Sequence, residues 1–341
     1  MVLLPVLVVV ALSAHRWSIV PLWRDEYATA MHASFAPRDL FRAVSTGDAV
    51  QAPYYLLIHW LSPVFGFAEG MRLISVLAVA GATTVFALIG LRWWGGIPAL
   101  AAAAFFAVNS TIVTAASTAR PYALVLLMVA LSVLMLDLAV EGRRWAWPVY
   151  SIAATFAVAM HLISIVAVGC TILLLLWHRG SSIWRWLAWT VPAACAALVI
   201  GPAGFGQRGQ ISWLGPPDVR SAVGTLAATT GISANRAVVF DGVALLLLAS
   251  AAVLSIVAAW RLPPAERAAR LRPLLLGLAL TFAAPLAMFT WSHLAIAVYM
   301  DRYLTWTTLG AAMIVGATWF AALHAAKTLS AVCAVVAATL P

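Results

Sequence analysis

ARPYALVLLMVALSVLMLDLAV, residues 119–140, decides the fold. Beyond Arg120 it runs to Val140 with Asp137 as its one charged side chain. A helix rises about 1.5 Å per residue, so about 20 apolar residues cover the ~30 Å hydrocarbon core of a bilayer. The stretch therefore reads as a membrane span. Working outward, punctuation by Arg, Gly, Pro and Trp marks further apolar runs near 1–15, 71–91, 96–113, 146–160, 161–177, 184–203, 237–260, 273–291, 303–324 and 328–341.

Composition agrees with that pattern. The 341 residues are 64% hydrophobic and 9% charged, with a mean hydropathy of +1.00, too little polarity to coat a soluble core. In hydrocarbon each backbone N–H and C=O must be paired within its own segment. The expected fold is an all-α polytopic transmembrane bundle of about ten to eleven spans, forming one domain over 1–341. Val2–Ala14 lacks a basic n-region and an A-x-A site, so it reads as a short first membrane helix rather than a signal peptide. Cys170, Cys195 and Cys333 lie in apolar runs without ligand spacing, which argues against disulfides and a metal cage. The formal charge is +9, but the Arg residues are scattered through loops, so no nucleic-acid surface is expected.

Charge collects in two kinds of place. Short basic linkers hold Arg92, Arg143–Arg144, Arg179 to Arg185, Arg261 to Arg272 and Lys327, and counting alternate loops puts them all on one side. Positive charge in short loops marks the cytoplasmic face. The long loop 16–70, the loop 204–236 and the turns at Arg120 and Arg302 then lie on the extracytoplasmic side of a plasma membrane. Within 16–70, Asp25–Ser34 reads as a helix with an acidic first turn, and the apolar run after Pro53 as a helix in the interface.

Of 11 carboxylates in the chain, Asp25, Glu26, Asp39 and Asp48 fall within residues 25–48 of that one outer loop. An Asp-Glu pair just beyond a membrane helix can supply a general base at a dry interface, where burial raises a carboxylate's pKa. It can equally be a solvated charge pair at a helix N-terminus. Arg120 and Arg302, with Arg24 and Arg208 behind them, can bind phosphate oxygens through the guanidinium fork, or can simply anchor at the interface.

These residues resemble a known family. Trp23-Arg24-Asp25-Glu26, then Asp48-x-x-Gln51-Ala52-Pro53-Tyr54-Tyr55 continuing to His59-Trp60, Phe65-Gly66 and Arg72-Leu73-Ile74-Ser75, look like the first outer loop of GT-C membrane glycosyltransferases. The likeness is to the branch of protein O-mannosyltransferases, aminoarabinose transferases and related bacterial mannosyltransferases. Arg120-Pro121-Tyr122, His161, Gln210-Ile211-Ser212-Trp213 and Asp301-Arg302-Tyr303 follow in the same order, so the resemblance covers about residues 20–305. Two departures are Ala52-Pro53 in place of a proline pair, and a chain ending at Pro341 where many relatives carry more helices and a soluble domain.

The resemblance implies a single inverting displacement on the extracytoplasmic face. A lipid, glycan or protein hydroxyl attacks a polyprenyl-phosphate sugar, with mannose the favoured sugar. It assigns Asp25 as base, with Glu26 and Asp48 orienting the acceptor or holding the base. Arg120 and Arg302 would meet the leaving phosphate. Tyr122, Tyr303, Gln210 and Trp213 would line the groove together with Gln51, Tyr54, Tyr55 and His59. His59 and His161 also read as structural hydrogen-bonding residues. No cofactor is demanded, because no His/Asp/Glu cluster has ligand spacing and Arg can offset a monophosphate; a divalent cation stays open. The competing classes are a lipid or sugar transporter, which would place ionisable groups in mid-span, and an inactive scaffold of the same fold.

Overall fold

A computed structural model describes residues 1–65, 68–175, 182–231 and 238–339, and every regular element among them is a helix. Arg179 and Gly66 lie outside these residues, and nothing is described for the side chains of Lys327 and Cys333. Helix α1 (Leu3–Ile19) ends at an extended Val20, as the residue before a proline favours. The chain bends by 93° into α2 (Arg24–Ser34), whose start is set by Trp23 N–H donating to Glu26 Oε2 at 3.2 Å.

Helix α3 (Pro37–Thr46) was not foreseen. It opens on a proline and buries Leu40 and Val44, one turn apart, while Arg38, Phe41 and Arg42 stay exposed. A 3-10 turn, Ala49–Gln51, leads into α4 (Ala52–Phe65). The two helices expected between residues 16 and 70 are therefore both present, with α3 between them.

The bundle follows. It comprises α5 (Ala68–Trp94), α6 (Gly96–Val108), α7 (Ser110–Ala116), α8 (Tyr122–Val140), α9 (Ala146–Met160) and α10 (Ser164–Cys170) with its 3-10 extension Thr171–Leu175. It continues through α11 (Ser182–Gly206), α12 (Val219–Ala228), α13 (Val238–Trp260), α14 (Pro264–Leu294) and α15 (Thr307–Thr339). Helix α8 is central, with 67% of its apolar stretch enclosed by protein, whereas only 6% of α11 is enclosed. The apolar face of α11, including Trp184, Leu198 and Val199, is left for lipid.

Among the described residues, 6 helices are long and apolar enough to cross a membrane, or up to 8 if the bent pairs α1–α2 and α6–α7 each count as one span. That is fewer than expected, for local reasons. Helix α9 has 15 residues and reaches only about 22 Å. Helix α10 gives way to a 3-10 segment after 7 residues. The runs 303–324 and 328–341 are not two spans, because α15 continues unbroken from Thr307 to Thr339.

Ion pairs define two poles. At one, buried Asp137 at the end of α8 accepts from Arg92 Nε (3.3 Å), from Trp93 Nε1 (3.1 Å) and from Arg272, tying α8 to the end of α5 and the start of α14. Arg92 also reaches Glu141 at 2.6 Å. The opposite ends of the same three helices converge on the segment that carries α2 to α4, the turn at Arg120 and the 3-10 turn Asp301–Leu304.

Candidate functional site

A buried ion pair organises the second pole. Arg72 Nε donates to Glu26 Oε1 at 2.8 Å and Arg72 Nη2 to Oε2 at 2.7 Å. Glu26 is 0% and Arg72 3% exposed. The remaining capacity of both groups is used as well. Ala119 N–H donates to Glu26 Oε1 at 2.7 Å, while Arg72 donates to the carbonyls of Val20 (2.7 Å) and Pro21 (2.9 Å) that end α1. Glu26 is thus enclosed, with both carboxylate oxygens hydrogen-bonded within the protein. What it does is join the start of α2 to the turn before α8, so Asp25 and Arg120, each one residue along, are held near each other.

Asp25 is 26% exposed, and its Oδ2 lies 3.4 Å from Arg302 Nη1. The Arg302 guanidinium sits over the rings of Trp23 (5.0 Å) and Tyr303 (5.8 Å), with Nε buried and unpartnered within the protein. Arg120 is almost wholly buried, and its Nε also has no partner. Burial works against its charge, but Tyr122, Tyr55 and Asp25 around it hold its pKa above the ordinary Arg value. It therefore stays a cation in a poorly hydrated place. His161 lies 5.1 Å from Tyr303 and 5.8 Å from Tyr122, ring to ring. Burial first, and Arg120 second, push its pKa down to about 4, so it is neutral near pH 7, with Nδ1 unpartnered.

Arg120, His161 and Tyr303 form the polar end of a cavity of about 560 Å³, together with Asp48 and Gln51. The rest of its wall is largely apolar: Leu162, Ile163 and Val166 around the start of α10, Met288 and Trp291 of α14, and Val298 beyond it. Gly204, Phe205, Gln207, Arg208 and Gln210, at the end of α11 and the turn after it, close a third side. Asp48 faces this space from a left-handed backbone conformation (φ 63°), and Tyr55 O–H donates to its Oδ2 at 3.1 Å.

The cavity therefore collects Asp48, Gln51, Arg120, Tyr303, Arg208, Gln210 and His161 of the residues singled out by sequence. Asp25 and Arg302 form the adjoining ion pair outside its wall. Tyr54 and Tyr55 lie close enough to Arg120 for its charge to oppose the upward push that burial gives their hydroxyl pKa values, and Tyr122 packs against Tyr303. Arg24 and Trp213 are exposed and do not line the cavity. His59 shares a hydrogen bond with the Ala33 carbonyl through Nδ1 at 2.9 Å, a link between α4 and α2.

Sequence reading missed three features. Arg72 stood only as part of a motif, although an Arg early in an apolar run needs a partner. Gln207 went unnoticed three residues before Gln210. The apolar wall from α10 and α14 carries no motif at all. Among the described residues, no three His, Cys, Asp or Glu side chains come together as a metal-holding group. No protein-family model, curated protein or solved structure matches this chain.

Proposed function

We propose that this chain is an inverting glycosyltransferase of the GT-C kind that transfers a sugar from a polyprenyl-phosphate donor to a hydroxyl of a lipid, glycan or protein. Mannose is the favoured sugar. The observation that carries this reading is the two-part cavity, with a buried unpartnered guanidinium edge at one end and an apolar wall from α10 and α14 along the rest. That lining suits an amphiphile with a phosphate head and a hydrocarbon tail.

In the reaction, Asp25 accepts the proton of the acceptor hydroxyl, whose oxygen bonds to the anomeric carbon as the bond from that carbon to the phosphate oxygen breaks. The electron pair leaves with the polyprenyl phosphate. Arg120 and Arg302 offset the charge that grows there, which is worth most in a site that excludes water. Glu26 holds Asp25 near Arg120, and Asp48 orients the acceptor at the cavity wall. The short helices α9 and α10 also traverse the bilayer in this reading, bringing the crossings to about ten. The basic linkers then remain cytoplasmic and the cavity's polar end faces outward, across a plasma membrane.

A lipid transporter is the second reading, favoured by the broken span α6–α7, bent by 60°. Against it, that break is filled from within the protein. Asn109 caps Thr111 N–H at 2.9 Å and donates to the Thr229 carbonyl at 2.9 Å. One experiment separates the two. Purified protein in proteoliposomes receives a panel of radiolabelled polyprenyl-phosphate sugars with envelope extract. Transfer of label to an acceptor with release of polyprenyl phosphate is expected. Movement of intact donor across the bilayer without transfer would replace glycosyl transfer with transport.

A further inference from the structure

We propose that Gln207 is a positioning residue for Asp48, assisted by Gln210; the inference rests on the glycosyl-transfer reading and assigns part of its acceptor side to the second outer loop. Asp48 is the one non-glycine residue with positive φ among the described residues. Asp tolerates that conformation better than most side chains, but it persists only where the surroundings enforce it.

The enforcement comes from more than 150 residues away. Gln207 Oε1 accepts from Ala49 N–H at 2.8 Å, and Gln210 Oε1 accepts from Asp48 N–H at 3.2 Å. Gln207 Nε2 donates to the carbonyls of Val44 (2.8 Å), which also accepts from Gly47 N–H at 3.2 Å, and Ser45 (3.1 Å), both in the last turn of α3. One amide therefore serves both sides of the bend that carries Asp48. Gly47 makes the approach possible, since a Cβ there would lie 2.5 Å from Gln210 Nε2.

The location gives the clamp its consequence. Asp48 and Gln51 on one segment, and Gln207 and Gln210 on the other, all border the same cavity. Asp48 is the carboxylate on that wall; among the described residues its side chain accepts from the Tyr55 hydroxyl, while the clamp holds the backbone that carries it. The second outer loop thereby sets the geometry at which an acceptor hydroxyl meets the donor.

The test uses full-length protein in nanodiscs carrying Gln207→Ala or Gln207→Glu. Glu keeps an oxygen for Ala49 N–H and loses the two donors. Hydrogen exchange over residues 44–51 should accelerate at least about tenfold in Q207A, less in Q207E, and not at all in α5 or α8. With a polyprenyl-phosphate sugar as probe, kcat should fall roughly 10–100-fold in Q207A with donor KM within about twofold, because a small misplacement costs rate rather than donor binding. Q207E should restore part of the rate. Unchanged exchange in Q207A, or faster exchange with unchanged kcat, would overturn the proposal. So would a common loss of kcat, KM and thermal stability. If wild-type protein consumes no polyprenyl-phosphate sugar, the reading of the preceding subsection falls, and the exchange result alone decides whether Gln207 holds the segment.

Discussion

Replacing Arg72 with Ala should cost more stability than any other single change at the pole of the bundle that holds Glu26 and Arg120. The substitution leaves the Glu26 carboxylate fully buried with only two backbone N–H donors, from Ala119 and Trp23, in place of four hydrogen bonds that include a bidentate guanidinium. It also strips the Val20 and Pro21 carbonyls of their donor. Removing one partner of a buried ion pair costs about 3–5 kcal/mol, a large share of the 5–15 kcal/mol that typically separates folded from unfolded protein. Arg72→Lys keeps the charge but not the fork, so its cost should be roughly half.

The assay is unfolding by SDS in mixed micelles, followed by tryptophan fluorescence. A double-mutant cycle isolates the pair: Glu26→Leu with Arg72→Leu should be less damaging than the sum of the two single changes by about 1–3 kcal/mol, since neither buried charge is then left alone. Additivity within about 0.5 kcal/mol would refute the argument and make the two residues independent packing units. Variants that remain folded should also lose activity, because Asp25 and Arg120 are each covalently adjacent to a clamped residue.

Asp25→Asn should lower single-turnover transfer by about 10²–10⁴ while leaving donor binding and unfolding unchanged; Asp48→Asn and Glu26→Gln are its comparators, and a larger catalytic loss in either would move the base within the cluster. Arg120→Lys and Arg302→Lys should each slow transfer about tenfold or more, equivalent to roughly 1.4 kcal/mol of transition-state stabilisation, and normal rates in both would show that they only anchor. His161 has a pKa of about 4 in the folded state against 6.5 ordinarily, so the unfolded chain takes up a proton that the native one refuses. Its contribution is fully present above pH 6.5 and is lost as pH falls toward about 4, and His161→Gln should flatten that part of a stability profile measured across this window. In a background lacking reactive native cysteines, Arg220→Cys should react with an impermeant reagent in intact cells and Glu266→Cys should not; the reverse labelling would turn the polar end of the cavity toward the cytoplasm.

The bundle was readable in sequence wherever an apolar run exceeds the bilayer thickness between charged residues, as at 119–140. Reading failed where length and composition part company. Leu40 and Val44 in α3 are too few and too widely spaced among Arg and Asp to stand out, yet one turn of separation puts both into the core. At 146–177 hydropathy is continuous enough for two spans, but the turn at His161 shortens both helices. The site divides in the same way. Counting carboxylates finds Asp25, Glu26 and Asp48 together, but only tertiary contacts distinguish their situations. Glu26 meets its Arg 46 residues later and is closed off, Asp25 pairs with Arg302 beside the cavity, and Asp48 is held on the cavity wall.

Their differing burial follows from one helical turn and one bend. Consecutive residues at the start of α2 point to different sides, so burying Glu26 against Arg72 turns Asp25 toward Arg302. In the same way the Ala119 N–H that closes on Glu26 aligns the next residue, Arg120, with the cavity. A single internal ion pair thus sets both a carboxylate and a guanidinium beside the cavity. This is why a conservative change at Arg72, a residue that does not line the cavity, should alter chemistry within it.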